Sequence, residues 1–291
     1  MEAGRAIGID LGGTKILAGV IERSGKVGET REIATPTQSQ AALLAAVVGI
    51  VAELRGPGIG VVGLGVPVRI DMRSGRALAA VNLPLHDVAL AEVLGERVGL
   101  PVAVVNDGSA AAFAEFHHGA GRGSSTLVLL TLGTGVGGGI VLDGTLYRGW
   151  SEVGHMVIVE DGEPCQGTCT GRGHVESYCS GTAADRLARR ALGPGASARD
   201  LVEARHPLLA RIGRHLGAAV ASLQNLFDPD VVVIGGGFGV SAGELLLGPV
   251  RSVILHETLA PGGKNVRLAV AELGASAGLI GAGLVAYDAL A

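Results

Sequence analysis

The chain has 291 residues, 48% of them hydrophobic and 17% charged, with a formal net charge of −4. That length allows one large domain or two ordinary ones, and the charge gives no reason to expect nucleic acid or an anionic membrane as partner. No apolar run reaches the roughly 18–20 residues of a membrane helix, the opening MEAGRAIGID enters a strand pattern too soon for a signal peptide, and an odd count of three cysteines points to a reducing cytoplasm rather than a disulfide framework.

Residues 6–10 form an apolar run that breaks at Leu11-Gly12-Gly13-Thr14-Lys15. A second run covers 16–21 and a third 27–33, so the start of the chain predicts an antiparallel meander with a glycine hairpin at its first corner. Backbone N–H groups at such a corner can approach an anion, and Asp10 at the strand's end is placed to hold a hydrated Mg²⁺. The same pattern also suits a plain hairpin with a polar tip. A helix over 37–54, a strand over 59–66, a turn at Asn82-Leu83-Pro84, a helix over 87–98 and a strand over 101–105 follow. Gly58, Gly60 and Gly63 spell a dinucleotide motif, but they lie inside a strand that no helix directly follows, so the spelling carries no weight. The strand over 101–105 runs into Asn106-Asp107-Gly108-Ser109 and a helix over 110–118. Asp107 thus stands where a strand hands over to a helix, the crevice position of open α/β sheets. A carboxylate there either accepts a proton from a substrate hydroxyl or caps the helix.

Residues 126–132 are again a strand, broken at Gly133-Thr134-Gly135-Val136-Gly137-Gly138-Gly139 and resumed over 140–142. The order of strand, glycine corner, strand and turn repeats that of residues 6–27, which points to an internal duplication with one phosphate loop in each half. Between Arg148 and Gly181 the chain crowds Glu152, His155, Cys165, Cys169, His174 and Glu176 into one stretch, including all three cysteines. Thiols and imidazoles at this density suit a metal, or else a loop with spare thiols; Cys179 reads as a small buried residue. Helices over 182–192, 198–205 and 207–227 come next, then a β-branched strand over 231–234 that ends at Gly235-Gly236-Gly237. Bare backbone there suits a flat adenosine, or a tight strand-to-helix turn. A strand over 266–271 and a helix over 276–290 close the chain.

With Asp10 to Lys15, Asn106-Asp107, Thr131 to Gly139, Glu152 to His155 and Gly235 to Gly237 in this order, nearly the whole chain resembles the ROK family (repressors, open reading frames, kinases). The resemblance implies an α/β, two-lobed actin-like ATPase (ribonuclease H-like) fold with the active site in the inter-lobe cleft. Its expected divisions are an N-terminal lobe over 1–108, a larger lobe over 109–275 that carries the zinc motif, and a closing helix over 276–291 packing back on the first lobe. It implies an ATP-dependent sugar kinase, glucokinase-like, in which Asp107 is the catalytic base. Asn82, Asn106, Asp107, Glu152, His155 and Glu176 would hold the sugar. Asp10, Gly12, Gly13, Thr14 and Lys15 would form the first phosphate motif, Thr131, Gly133, Thr134, Gly135 and Gly137 the second, and Gly235, Gly236 and Gly237 the adenosine motif.

The same resemblance implies a structural Zn²⁺ beside ATP and Mg²⁺. Members show a Cys-x-Cys-Gly-x-x-Gly-Cys-x-Glu run, whereas here three residues separate Cys165 from Cys169 and His174 replaces the third cysteine. His155, Cys165, Cys169 and His174 remain a tetrahedral set. Three departures neighbour the expected sugar pocket: only Trp150-Ser151 stands between Gly149 and Glu152, Val68 follows Pro67 where glycine is usual, and Ser109 replaces an asparagine. Glucose is the expected acceptor, with N-acetylmannosamine, fructose or another hexose as rivals. The family's transcription regulators carry an N-terminal helix-turn-helix, for which a chain entering its first strand at Ala6 has no room. A cytoplasmic homo-dimer or homo-tetramer, binding sugar and ATP but neither nucleic acid nor membrane, completes the expectation.

Overall fold

The computed structural model describes residues 4–71, 76–79, 83–259 and 265–290. The described residues fall into two compact units. The first comprises Met1–His118, Arg148–Trp150 and Ala275–Ala291, the second Gly119–Tyr147 and Ser151–Gly274.

In the first unit, β1 (Arg5–Leu11), β2 (Lys15–Glu22) and β3 (Val27–Ala34) form the antiparallel meander. Then come α1 (Gln40–Leu54), β4 (Ile59–Val66), the hairpin strands β5 (Ala77–Ala79) and β6 (His86–Val88), α2 (Leu90–Val98), β7 (Val102–Asn106) and α3 (Asp107–His118). β4 and β7 join β1 in parallel, giving the order β3-β2-β1-β4-β7. Period-two alternation in β1 sends Ile7, Ile9 and Leu11 into a core shared with Leu43, Val47 and Ile50 of α1 and Leu90 and Leu94 of α2.

The opposite face is made of glycine. Gly8 of β1 stands in register with Gly19 of β2 and with Gly63 of β4, so three bare positions run side by side across the sheet. The last helix, α10 by order in the chain (Ala277–Asp288), lies in this trough. A methyl group at Gly8 or Gly63 would overlap the carbonyls of Leu279 or Ala282, and one at Gly281 would overlap the backbone of Ala110 in α3. Tyr287, near the helix's end, donates its hydroxyl to the Ile21 carbonyl at 2.7 Å.

The second unit repeats the plan. β8 (Leu127–Leu132), β9 (Val136–Leu142) and β10 (Thr145–Leu146) form a meander, joined in parallel by β11 (Val231–Gly235) and β12 (Arg267–Val270) in the order β10-β9-β8-β11-β12. Between β10 and β11 lie a 3₁₀ turn (Val153–His155), α4 (Val175–Cys179), α5 (Gly181–Leu192), α6 (Ala198–Glu203) and α7 (Leu208–Phe227); α8 (Gly237–Ala242) and α9 (Glu244–Glu257) follow β11. Both sheets carry a three-stranded meander extended by two parallel strands, the duplication expected from the two glycine corners.

Several boundaries differ from expectation for local reasons. α1 starts at Gln40 because Ser39 accepts the Ala42 N–H at 3.1 Å and caps it. The helix expected over 87–98 starts at Leu90: Asp87 has φ 45°, its carboxylate takes the Arg76 guanidinium at 2.7 Å, and 86–88 pair with β5. The second glycine corner is only Gly133–Gly135, since Gly137, Gly138 and Gly139 already pair with β8. No helical range was assigned to α8 and α9, because six glycines and Pro249 within 235–249 mask the helical period.

Candidate active site

In the first unit the parallel strands bring three chemical groups to their carboxyl ends. Asp10, one residue before the end of β1, stands opposite Gly65 of β4, and Val66 of β4 pairs with Asn106 of β7. Asp107 opens α3. The cap of that helix is Asn106, whose Oδ1 accepts the N–H groups of Gly108 at 3.0 Å and Ser109 at 3.2 Å. Asp107 Oδ1 also accepts the Gly108 N–H, at 2.8 Å. Burial raises the Asp107 pKa against the lowering effect of the Gly108 N–H and of its own. Asp10 is pushed up to about 6, first by burial and then by the charge of Asp107, with Lys15 opposing. Two partly buried carboxylates of raised pKa, one raised further by the charge of the other, mark a place built for a cation or for proton transfer.

The first glycine corner is braced from below. Gly12 donates its N–H to the Lys15 carbonyl at 2.9 Å, and the Thr35 hydroxyl donates to the Gly12 carbonyl at 2.7 Å. Lys15 Nζ lies 2.7 Å from Glu32, so part of its charge is already answered, while Thr14 is exposed. Gly278, in the first turn of α10, lies against the Asp10 carboxylate; a Cβ there would come within 2.8 Å of it. Thr35, Glu32 and Gly278 escaped sequence reasoning. Only the glycines at 278, 281 and 283 in an otherwise apolar helix hinted at the close approach.

In the second unit the centre is Val136, the first residue of β9. Its N–H donates to Glu176 Oε2 at 2.8 Å. Its carbonyl fills the space where Gly154 would carry a Cβ, so the turn bearing Glu152 and His155 rests on the same strand end. Gly135 is likewise bare because the Glu176 carboxylate occupies its side-chain position. The second corner also meets α5: Gly181 donates to the Gly133 carbonyl at 2.7 Å and the Thr182 hydroxyl to the Thr134 carbonyl at 2.8 Å. Gly236, at φ 77°, sits so close to the Leu132 backbone that a Cβ would come within 2.5 Å. The two glycine corners of this unit therefore lie against each other, with Gly237 open on its outer side. Gly137 lies within β9, opposite Thr131.

The ligand atoms of His155, Cys165, Cys169 and His174 all lie within 4.8 Å of one another. A zinc tetrahedron with bonds of about 2.3 Å to sulfur and about 2.1 Å to nitrogen has sulfur–nitrogen edges of roughly 3.6 Å. Cys169 Sγ and His174 Nδ1 are 3.7 Å apart, so the residues present fit the ion. Burial pushes the Cys165 thiol up to about 11, so a metal would have to displace its proton on binding. Cys165 Sγ is 3.8 Å from Glu176 Oε1, and His155 Nδ1 is 3.6 Å from Glu152 Oε2. The cluster thus adjoins both glutamates. Cys179 is fully buried, faces the Ile212 carbonyl and takes no part. Asn82 lies outside the described residues.

A family model described as the ROK family matches residues 6–289. A glucokinase of Streptomyces coelicolor is 34% identical over 98% of this chain and 98% of its own. The crystal structure of a ROK hexokinase from Thermus thermophilus superposes with a TM-score of 0.87 at 34% identity, covering 98% of this chain and 99% of that one. A ROK family glucokinase from Streptomyces griseus, in complex with glucose and AMPPNP, gives 0.81 at 33% identity, covering 98% and 100%.

Proposed function

The chain belongs to the ROK family, and on that premise we propose that it is an ATP-dependent sugar kinase that converts glucose to glucose 6-phosphate. The observation that carries the reading is the pair of partly buried carboxylates Asp10 and Asp107 at the carboxyl ends of the parallel strands of one sheet, both with raised pKa. Asp107 accepts the proton of the sugar's 6-hydroxyl as that oxygen bonds to the γ-phosphorus and the bond from phosphorus to the β,γ-bridging oxygen breaks, releasing ADP. A base of raised pKa holds that proton better than an ordinary aspartate would. Asn106 fixes the start of α3 and so the place from which Asp107 acts. Asp10 carries hydrated Mg²⁺, whose charge offsets the burial of its carboxylate. Thr14, Lys15 and the N–H groups at Gly12 and Gly13 take one side of the phosphates. Thr131, Thr134 and the corner at Gly133 and Gly135 take another, and Gly235 to Gly237 the adenosine.

Glu152, His155 and Glu176, with Asn106 and Asn82, bind the sugar hydroxyls. His155, Cys165, Cys169 and His174 hold a structural Zn²⁺, whose contribution is to fix the loop and the orientation of His155. A cytoplasmic homo-dimer or homo-tetramer belongs to the same reading. No helix among the described residues is long and apolar enough to cross a membrane.

The test is ADP release from Mg-ATP with a panel of hexoses and amino sugars, on protein purified without chelator. Turnover with glucose at high kcat/KM is the expected result. Preference for N-acetylmannosamine or fructose keeps the kinase and replaces the acceptor, while no turnover across the panel overturns the reading.

A further inference from the structure

The chain's one tryptophan has no part in the chemistry above. Trp150 is 53% exposed, yet it is held at two points. Its indole N–H donates to the Ile70 carbonyl at 3.3 Å, and the Arg69 guanidinium lies over the ring, 5.2 Å from its centroid. With the nitrogen used and one face covered, what the indole offers a ligand is a bare, immobilised π surface.

Its position is as informative as its exposure. Arg69 and Ile70 belong to the segment that leaves the carboxyl end of β4, where Val66 pairs with Asn106 beside Asp107. Along the chain, Trp150 precedes Glu152 with only Ser151 between them. Ser151 has a left-handed backbone at φ 42°, and its buried hydroxyl has no protein partner among the described residues. A strained residue with an orphaned hydroxyl is characteristic of a ligand site. Trp150 is thus tied to the segment that leaves β4, whose end pairs with the strand leading into the base, and stands two residues before a sugar-binding glutamate.

We propose that Trp150 is a specificity-determining residue for the acceptor, stacking its open face on the C–H face of a pyranose. This rests on the sugar kinase reading above. A ring of this kind discriminates by shape: it accepts a sugar whose axial hydroxyls point away from the indole and rejects one that turns an axial hydroxyl into it, since that hydroxyl loses water and gains no partner. Binding requires no nucleotide, so the stacked complex forms with sugar alone.

The chain's single tryptophan makes the test direct. Emission of the unmodified protein is titrated with each hexose in the absence of nucleotide, alongside calorimetry. The expected result is a saturable change in emission whose midpoint matches the calorimetric Kd for the preferred sugar. Trp150→Ala should raise the sugar KM about tenfold, the scale of one well-placed aromatic contact, with kcat and the KM for ATP within about threefold of wild type, as loss of uniform binding requires. It should also narrow the kcat/KM ratio between the best and second-best hexose. Trp150→Phe should restore most of both. A residue that only ties segment 148–150 down would change the melting temperature and leave the sugar KM and the hexose ratio unmoved. Calorimetric binding with unmoved emission and an unchanged sugar KM in Trp150→Ala overturns the proposal alone. Failure of every hexose to bind overturns it together with the reading on which it rests.

Discussion

Asp107 lies close enough to Asp10 to raise its pKa, and the two differ in what a substitution should do. Asp107→Asn keeps the shape and the Gly108 N–H bond but cannot take a proton, so kcat should fall by about 10²-fold or more, with the sugar KM little changed. Steady-state kinetics measure it, and a loss under tenfold would mean another group is the base. Asp10 bears on stability as well. Its folded pKa of about 6 lies above the ordinary carboxylate value of 3.8, so the folded state binds its proton more tightly than the unfolded state. The stability this group contributes is complete below about pH 4 and is lost as pH rises through 6, a change on the order of 2–3 kcal/mol. Asp10→Asn should therefore raise the melting temperature at pH 8 without metal, and not at pH 4; melting curves at the two values decide it. The metal cluster supplies a third prediction. If the cluster holds one zinc per chain as proposed, Cys169→Ser should lower bound zinc well below that and raise the sugar KM, because the cluster adjoins Glu152 and Glu176. Metal analysis with kinetics on the same preparation checks both halves. The four residues of this cluster were legible in the sequence because thiols and imidazoles announce themselves by type. Glu32 and Gly278 were not, because their importance lies in what the fold brings against them.

The elements that read clearly were those with strong period and punctuation: the two meanders, the strand into Asn106-Asp107, and the capped or proline-stopped helices. α8 and α9 did not, since glycine and proline suppress helical propensity and only tertiary packing restores it. The glycine trough shows the opposite case. Gly8, Gly19 and Gly63 look like weak points in three separate strands, and their common purpose appears only once register aligns them under α10. Gly63→Ala should force that helix off the sheet by overlap with the Ala282 carbonyl. The expected cost is about 3 kcal/mol or more, the upper end for overpacking, because backbone rather than a rotatable side chain is in the way. Gly49→Ala, in the middle of α1 with open space where its Cβ would go, should instead stabilise by about 0.5–1 kcal/mol. Paired denaturant titrations separate the two.

On the scale of the whole molecule, the path of the chain matters more than either unit. The first unit is assembled from three separate stretches, one of which is α10. A protein ending at residue 274 should retain a cooperative transition for the second unit and lose that of the first, since the trough would expose Gly8 and Gly63 with nothing seated in them. Hydrogen exchange on the truncated protein would show it as loss of protection in β1 and β4 and retention in β8 and β11. The placement of α10 also fixes a schedule. Translation delivers residues at about 5–20 per second and domains generally fold in the order they emerge, yet the helix that completes the first unit leaves the ribosome after every strand of the second. Until it arrives, Asp10 has no Gly278 beside it and the sheet no second cover. The nascent chain thus carries a finished second unit alongside a first unit still waiting for its last piece, and a ribosome that stalls before residue 277 releases a protein unable to handle nucleotide and open to proteases at its amino-terminal end.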